Sequence, residues 1–496
     1  MTILNLSNNK IIDGAPCILE SLSSNSVLTS INLSGNYIKN EGIKCLSEYL
    51  KPNSTLTSLD LSANNINING AQHILDCILS NSFITSIELK NTSIEKDIGV
   101  LLFFQYMIKH SRHNTENKKG PISEQLKLSY NRLSHQGLRF ITNYLKSDSR
   151  ITSVELGANQ FTNEGALYIS ECLALNSTIT SIYLDNNKFG KEGAQLIFES
   201  LKSNSTITEI DFRKNNIGNE LAEFVSECLK VNSSITSIDL GDNKMDQQGA
   251  QIIAECLKTN SKITKMTLLG NNFRDEGLKF LSESLKSNST LTSISLNLNL
   301  IGPEGAHFLA ESLKLNSTLT SIHLDSNNIE NKGAQYIFTS LQSNSKIHTV
   351  HFQSNDVNQE GAKFIAESLK SNSTITTINL DRNKFGDKGV GFIFEALKEN
   401  TTLTKISLKS NNIGDGGAKY ISEYLKEKST ITSITLDCND ITEDGGKYIL
   451  EGLKSNSTIT CITLSDNEMG YNKVRQLIAE CVKSNIEKMD KNPHND

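Results

Sequence analysis

The stretch ITTINLDRNKFGDKGVGFIFEALKENT, residues 375–401, contains one complete unit of a pattern that fills the chain. Around Ile378 and Leu380 apolar and polar residues alternate, which predicts a short strand. The second half of a unit has apolar residues at helical spacing, such as Ile365 and Leu369 in the preceding copy, which predicts an amphipathic helix. Each unit is therefore expected to form a strand, a turn and a helix.

The asparagine of the string L-x-L-x-x-N-x-I returns every 28 residues, and such a period is the signature of a repeat protein. Its thirteen positions in one register are Asn131, Asn159, Asn187, Asn215, Asn243, Asn271, Asn299, Asn327, Asn355, Asn383, Asn411, Asn439 and Asn467. Upstream copies have Asn9, Asn36 and Asn64, and a fourth copy has Thr92 instead. The chain therefore contains about 17 repeats.

Identical connections stack the strands as a parallel sheet with helices on the other side, an α/β solenoid. Strands pack about 4.8 Å apart and helices about 8–10 Å apart, so the stack is expected to bend into a horseshoe with strands on the concave face and helices on the convex face. A polar residue four positions after the signature asparagine is expected to cap the helix of its own repeat. These residues are Asn163, Asn219, Asp275, Asn331, Asp387 and Asp415.

These strings, with the period and the E-G-A helix start, resemble the ribonuclease-inhibitor-like class of leucine-rich repeats. The resemblance covers residues 1–485 as one repeat domain and leaves 486–496 as a polar tail. The class includes ribonuclease inhibitor, the sensing arm of NOD-like receptors and the Ran GTPase-activating protein. It implies a hydrogen-bonded asparagine ladder and a protein partner on the concave face. It does not imply one function, because one scaffold serves many.

The period breaks between Thr92 and Asn131, where the step is 39 residues. The additional residues form a polar, basic insert, residues 109–122, inside an irregular repeat. One interpretation is a tolerated surface loop. The other is a loop that contacts a partner, because insertions in solenoids often carry binding.

Composition and motifs exclude several classes of function. Forty-nine basic residues against 55 acidic ones give a net charge of -6, which is not typical of a nucleic-acid binder. No apolar run approaches the roughly 20 residues of a membrane helix, and no catalytic motif occurs. We therefore expect no enzymatic activity, no catalytic residue, no cofactor, no nucleic acid and no membrane partner.

Nine cysteines occur without a C-x-x-C pair, and several occupy one slot of the repeat that elsewhere holds serine or alanine. Helix positions one repeat apart lie about 10 Å from each other, too far for a disulfide. Reduced thiols predict a cytoplasmic protein. The recurring N-S-T triplets are formal glycosylation acceptors that we interpret as unmodified turns.

The register places acidic residues on adjacent strands of the concave face. We expect a partner to bind there, at Glu155, Tyr183, Asp185, Glu209, Asp211, Arg213 and Asp239. Arg213 is the main counter-charge within this set, and Tyr183 is its large aromatic. A solvated wall that only keeps the protein soluble is the alternative interpretation.

His323 and His351 occupy the same position in successive repeats, and Asp325 follows the first by two residues. Two imidazoles beside a carboxylate can bind zinc, but the flat rows of a sheet rarely supply tetrahedral geometry. We therefore expect no metal.

The favoured function is a non-enzymatic scaffold or sensor that binds a protein. Two alternatives stay open: a GTPase-activating protein resembling the Ran activator, and the ligand-sensing arm of a NOD-like receptor or a microbial effector. The chain lacks the acidic C-terminal run that the resemblance to the Ran activator implies.

Overall fold

The computed structural model describes residues 2–11, 25–81, 83–94, 97–111, 124–427, 430–470 and 473–491. Strands and helices alternate along them, as the 28-residue pattern predicts. The chain divides into two compact units, residues 1–215 and 216–496, called here the first unit and the second unit.

The strands are short because each repeat contributes only a few extended residues between two turns. Those of the first unit are β1 (Thr2–Asn5), β2 (Leu28–Asn32), β3 (Ser58–Asp60), β4 (Ser86–Glu88), β5 (Glu124–Lys127), β6 (Ile151–Glu155), β7 (Ser181–Tyr183) and β8 (Glu209–Asp211). Those of the second unit are β9 (Ser237–Asp239), β10 (Lys265–Thr267), β11 (Ser293–Ser295), β12 (Ser321–His323), β13 (Thr349–His351), β14 (Thr377–Asn379), β15 (Lys405–Ser407), β16 (Ser433–Thr435) and β17 (Cys461–Thr463).

A helix follows most of these strands. The first unit has α1 (Asn40–Leu50), α2 (Ile68–Ser80), α3 (Ile98–Ser111), α4 (His135–Leu145), α5 (Asn163–Leu175) and α6 (Gly190–Leu201). The second unit has α7 (Asn219–Val231), α8 (Gln247–Thr259), α9 (Arg274–Leu285), α10 (Pro303–Leu313), α11 (Glu330–Leu341), α12 (Gln359–Ser371), α13 (Gly386–Leu397), α14 (Asp415–Lys426), α15 (Glu443–Ser455) and α16 (Lys473–Lys491).

Successive strands pair in parallel with residues 28 apart opposite each other, such as Ile378 and Ile406. In the first unit β1 to β4 pair in order, and β5 to β8 pair in order. In the second unit β9 to β17 pair in order. The repeat period thus sets the strand register, and each unit is an α/β solenoid.

The core of each unit lies between the strands and the helices. In residues 375–401, Ile378, Leu380, Phe385 and Ile393 are at most 1% exposed. Burying an aliphatic or aromatic side chain of this size contributes about 1.5–3 kcal/mol. Because every repeat supplies the same set, the core continues from repeat to repeat within a unit.

The signature asparagines join neighbouring repeats at the turn after each strand. The Asn383 amide donates to the carbonyl oxygens of Phe352 and Leu380, both at 3.1 Å. Its Oδ1 accepts the backbone N–H groups of Asn355 at 3.1 Å and Val357 at 3.2 Å. A buried amide satisfied in this way leaves few backbone groups unpaired.

This ladder is not uniform in the second unit. The Oδ1 atoms of Asn299, Asn355 and Asn411 are buried and accept no hydrogen bond from any residue that the structure describes. In the repeat before Asn411, α13 begins at Gly386, one residue before the expected start at Asp387, and the φ of Gly386 is 59°. The Gly386 N–H donates to the Asn411 backbone oxygen at 3.0 Å. The same arrangement joins Arg274 to Asn299 and Glu330 to Asn355.

The polar residues four positions after the asparagine do not cap their own helices, which corrects that expectation. Asp415 is the first residue of α14, yet its Oδ1 accepts the N–H groups of Thr442 at 2.9 Å and Gly445 at 3.0 Å, at the start of α15. Asp387 likewise accepts the N–H of Gly414 at 2.7 Å, just before α14. Asn219, Asp275 and Asn331 act on the next helix in the same way. Asn163 contacts Glu192 of the next helix instead.

A second set of buried asparagines follows the helices, in the N-S-T triplets and their variants. Its buried members are Asn53, Asn81, Asn176, Asn204, Asn232, Asn288, Asn316, Asn344, Asn372, Asn400 and Asn456. The Asn176 amide donates 2.6 Å to the carbonyl oxygen of Leu145 in the preceding repeat, and its Oδ1 accepts the N–H groups of Thr178 and Ile179. The nitrogen that a glycan would occupy is therefore used inside the fold.

The irregular repeat coincides with an interruption of the sheet. Among described residues β4 ends one sheet and β5 begins the next. Phe103 of α3 packs edge-on against Phe140 and Tyr144 of α4, with ring centroids 6.0 and 5.4 Å apart. Aromatic packing between helices thus joins the two sides where strand pairing stops. In the predicted insert 109–122, residues 112–122 lie outside the described residues.

The last helix, α16, ends at Lys491, inside the segment predicted as a polar tail from residue 486. Residues 492–496 lie outside the described residues. The domain boundary at residue 485 stays a prediction.

Candidate functional site

The predicted acidic residues of the first unit lie on its strand face, the face of the strands opposite the helices. Glu155 is directly opposite Tyr183, and Tyr183 is directly opposite Asp211. Glu209 is opposite Ser181 in the same pair of strands. The first-unit cluster consists of Glu155, Tyr183, Asp185, Glu209, Asp211 and Arg213.

Asp211 is only 7% exposed, which departs from the expectation that the whole set is accessible. The guanidinium of Arg213 donates to it, with Nε 3.0 Å from both carboxylate oxygens and Nη2 2.5 Å from Oδ2. The Arg213 backbone N–H also donates to Oδ1 at 3.0 Å. A buried carboxylate with a bidentate arginine has its charge paired within the fold. Asp211 and Arg213 therefore shape the turn rather than offer a free charge.

Asp185 is the half-buried carboxylate beside this pair. Its pKa is raised above the ordinary value, first by burial and then by the charge of Asp211, while Arg213 opposes the shift. Its position depends on a glycine, because a Cβ at Gly157 would lie 2.3 Å from Asp185 Oδ1. Burial and the Asp211 charge thus make the charged form of Asp185 less favourable than that of an exposed aspartate.

Glu209 and Glu155 lie on either side of Tyr183. Burial, followed by the charge of Glu209 and a hydrogen bond to it, raises the pKa of Tyr183. Glu155 accepts a 2.7 Å hydrogen bond from Gln125 and lies 3.6 Å from the Lys127 ammonium. The ring is therefore held between carboxylates as a neutral phenol.

Asp239, the remaining predicted residue, belongs to the second unit. It ends β9, opposite Thr267 of β10, and its Oδ1 accepts the Gly241 N–H at 2.9 Å. The structure therefore brings six of the seven predicted residues together within one unit.

The family model for the leucine-rich repeat matches ten segments of the chain. They are residues 24–47, 53–75, 175–198, 203–220, 231–254, 287–310, 315–338, 343–366, 371–394 and 399–422. These segments extend into both units and contain the strand, turn and helix described above. The chain is a leucine-rich-repeat protein.

Solved structures with some similarity to this leucine-rich-repeat protein include three of low identity. The leiomodin-1 actin-binding site 2 is 22% identical, with 38% of this chain and 93% of that chain covered and a TM-score of 0.28. A structure of the yeast Rad7 and Elc1 complex is 13% identical, with 70% of this chain and 81% of that chain covered and a TM-score of 0.43. An internalin from Listeria monocytogenes is 18% identical, with 72% of this chain and 84% of that chain covered and a TM-score of 0.40. No curated protein matches the chain significantly.

No described helix of this leucine-rich-repeat protein combines the length and the apolar composition that crossing a bilayer requires. In the insert 109–122 only residues 109–111, the end of α3, are described, so its two interpretations stay open.

The histidine pair of the leucine-rich-repeat protein lies on the strand face of the second unit. His323 and His351 are directly opposite in β12 and β13, with ring centroids 4.3 Å apart and planes inclined by 19°. Burial, followed by the charges of His351 and Lys265, lowers the pKa of His323 to about 4. The Asp325 carboxylate lies 3.8 Å from His351 Nδ1, and burial raises its pKa.

Two contributors to these sites escape sequence reasoning. Gln125 contacts Glu155 although it carries no charge, so a search for charged rows passes over it. Gly157 leaves the space that the Asp185 side chain occupies. The sequence signal for this contact was a glycine at the same repeat position as the aspartate, one repeat earlier. Gly241 stands in the same relation to Leu269, whose Cγ would lie 2.8 Å from an added Cβ.

Proposed function

We propose that this protein is a non-enzymatic interaction scaffold, and that a basic surface of a protein partner docks on the strand face of its first unit. One observation carries the proposal. Asp185 is a half-buried carboxylate whose pKa is raised by burial and by the neighbouring Asp211 charge. A partner cation placed beside it would favour its charged form.

The surroundings of Asp185 support a contact surface of this kind. Glu155 and Glu209 add negative charge on the strands on either side of β7. Tyr183 supplies a rigid aromatic of the type enriched at interface anchors. Complementary charge would steer association, and the tyrosine would slow dissociation.

The proposal extends to subclass and location. A 28-residue period with a helix of 11 to 13 residues in most repeats supports the ribonuclease-inhibitor-like subclass. None of the eight described cysteines forms a disulfide, which supports a reducing, cytoplasmic setting.

The test begins with affinity capture on the untagged chain followed by mass spectrometry, and then compares purified variants. Asp185→Asn with Glu209→Gln removes two charges from the cluster with little change in shape. Glu192→Gln with Glu199→Gln is the matched control, because both residues lie on α6 in the same repeat and the net charge changes equally.

The proposal expects the cluster variant to slow association and to flatten its salt dependence, because nearby charge acts within about 8 Å at physiological salt. Tyr183→Ala should mainly speed dissociation. Equal binding of the cluster variant and the α6 control would refute this docking site. Multiple-turnover stimulation of GTP hydrolysis by a captured GTPase would replace the scaffold with an activator.

A further inference from the structure

The strand face of the second unit brings together three side chains with metal-binding chemistry. One candidate ligand atom from each of His323, Asp325 and His351 lies within 4.8 Å of the other two. His323 and Asp325 are two residues apart, so they share a face, and His351 is opposite His323 on the next strand. We propose that these three residues bind a divalent transition-metal ion of the zinc type.

The arrangement answers the objection that a row of a sheet cannot supply tetrahedral geometry. Two histidines in one row define only a line, but Asp325 lies off that row, so the three ligands form a triangle. Its carboxylate is directed across the strands, with Oδ2 3.8 Å from His351 Nδ1. Three ligands on one side of an ion leave a further position for water, as in zinc sites with two histidines and one carboxylate.

The carboxylate is positioned by contacts outside the triangle. Asp325 Oδ1 accepts the Gln353 backbone N–H at 2.7 Å, and Oδ2 accepts the Asn297 amide at 3.3 Å. The Asn297 Oδ1 in turn accepts the Asp325 backbone N–H at 2.8 Å. Outer hydrogen bonds of this kind hold the ligands of metal sites in place.

Binding requires a small rearrangement of the rings. Zinc to nitrogen distances of about 2.0–2.1 Å place tetrahedral ligand atoms about 3.3 Å apart. The stacked rings must therefore turn about their side-chain bonds so that their nitrogens converge. His323 would exchange its 3.0 Å contact with Ser321 for the metal. The two imidazoles favour zinc, copper, nickel or cobalt over calcium or magnesium, which prefer oxygen ligands.

The experiment uses the untagged full chain after treatment with a chelator. Exposed thiols are alkylated first, because Cys461 is exposed and would bind zinc independently. Calorimetric titration with zinc chloride near neutral pH measures the affinity and the stoichiometry. Cobalt chloride added separately reports the coordination geometry through its visible absorption.

We compare the wild-type chain with His351→Gln and Asp325→Asn. His348→Gln is the matched control, because His348 precedes the same strand and is exposed. The wild-type chain and the control should bind one zinc ion per chain and give an intense cobalt spectrum. Each ligand variant should lose more affinity than the roughly 10–100-fold that removal of an outer contact costs.

Circular dichroism establishes that the variants are folded. Absence of saturable zinc binding to the alkylated wild-type chain would overturn the proposal. Binding that is unchanged in both ligand variants would overturn it as well, because the ion would then lie elsewhere.

Discussion

At the scale of single residues, one residue type at one repeat position makes different contacts. Asn383 accepts two backbone N–H groups from the preceding repeat, whereas the buried Oδ1 of Asn411 accepts none from the described residues. Both amides still donate to carbonyl oxygens, among them Leu380 O. In the repeat before Asn411 the helix begins early at Gly386, and the Gly386 N–H donates to the Asn411 backbone oxygen.

This difference predicts unequal costs for equal substitutions. Asn383→Ala should reduce the free energy of unfolding by about 1–3 kcal/mol more than Asn411→Ala, because it leaves the Asn355 and Val357 N–H groups unpaired. Urea unfolding followed by far-ultraviolet circular dichroism measures both variants. Equal losses would show that the acceptor contacts contribute no stability.

The contacts of Asp148 predict that the first unit loses stability in acid. It replaces the asparagine of the second buried set and accepts the N–H groups of Arg150 and Ile151 and the Tyr144 hydroxyl. Burial raises its pKa, but these hydrogen bonds and the Arg150 charge outweigh burial and hold the pKa below the ordinary value of 3.8.

A carboxyl with a lowered folded-state pKa contributes stability above its unfolded-state pKa and loses that stability as the pH falls through the folded-state value. Asp148→Asn should therefore weaken the loss of stability of the first unit below pH 3.8. Urea unfolding at a series of pH values measures the slope. Asp76→Asn serves as the control, since Asp76 lies on a helix of the same unit. An unchanged slope in Asp148→Asn would contradict the assignment.

At the scale of secondary structure elements, several helix starts are stabilised by a side chain of the repeat before them. Asp387 accepts a backbone N–H just before α14, and Asp415 accepts backbone N–H groups at the start of α15. Capping and repeat stacking are thus the same interaction here. Such coupling between neighbours is typical of the cooperativity of repeat proteins.

Asp415→Ala should cost about 1–2 kcal/mol, as the loss of a helix cap does. Hydrogen exchange should accelerate at Thr442 and Gly445 rather than in α14, which Asp415 begins. Asp444→Ala is the control, because it removes an exposed charge from the first turn of α15. Faster exchange confined to α14 would restore the expectation of capping within one repeat.

At the scale of the whole molecule, the thiols and asparagine amides of the repeat slots are interior groups. Cys77 and Cys172 are 3% exposed, and burial raises the pKa of each thiol to about 12. A thiolate is the reactive form, so these residues should react slowly in the folded protein.

The native protein should contain no disulfide and no N-linked sugar. Mass spectrometry after alkylation without reductant should find nine modified thiols in the unfolded chain. In the folded chain Cys461 should react before Cys77 and Cys172. A glycan on Asn176 would contradict the buried hydrogen bond that its amide makes with Leu145.

Much of the fold follows from the period alone. The positions of Ile378 and Leu380 predict the strand of a repeat, and the position of Leu369 predicts its helix. A regular 28-residue step places equivalent residues opposite each other. Backbone hydrogen bonding between identical units allows one register, so the parallel strands and the membership of the strand-face rows were predictable. The burial of the signature asparagines was also predictable from the period, because the backbone groups of a turn repeated in every unit need hydrogen-bond partners inside the fold.

Tertiary structure decided which of these residues share partners. Asp211 and Glu209 are alike in the sequence, but only Asp211 is buried with a bidentate arginine. The direction of Asp325 toward His351, and the reach of Asp415 into the next helix, depend on side-chain rotamers and on the packing of adjacent repeats. A sequence pattern specifies where a residue lies along the chain. Burial, charge pairing and the convergence of metal ligands depend on distances between side chains that are far apart in the sequence and that only folding brings together.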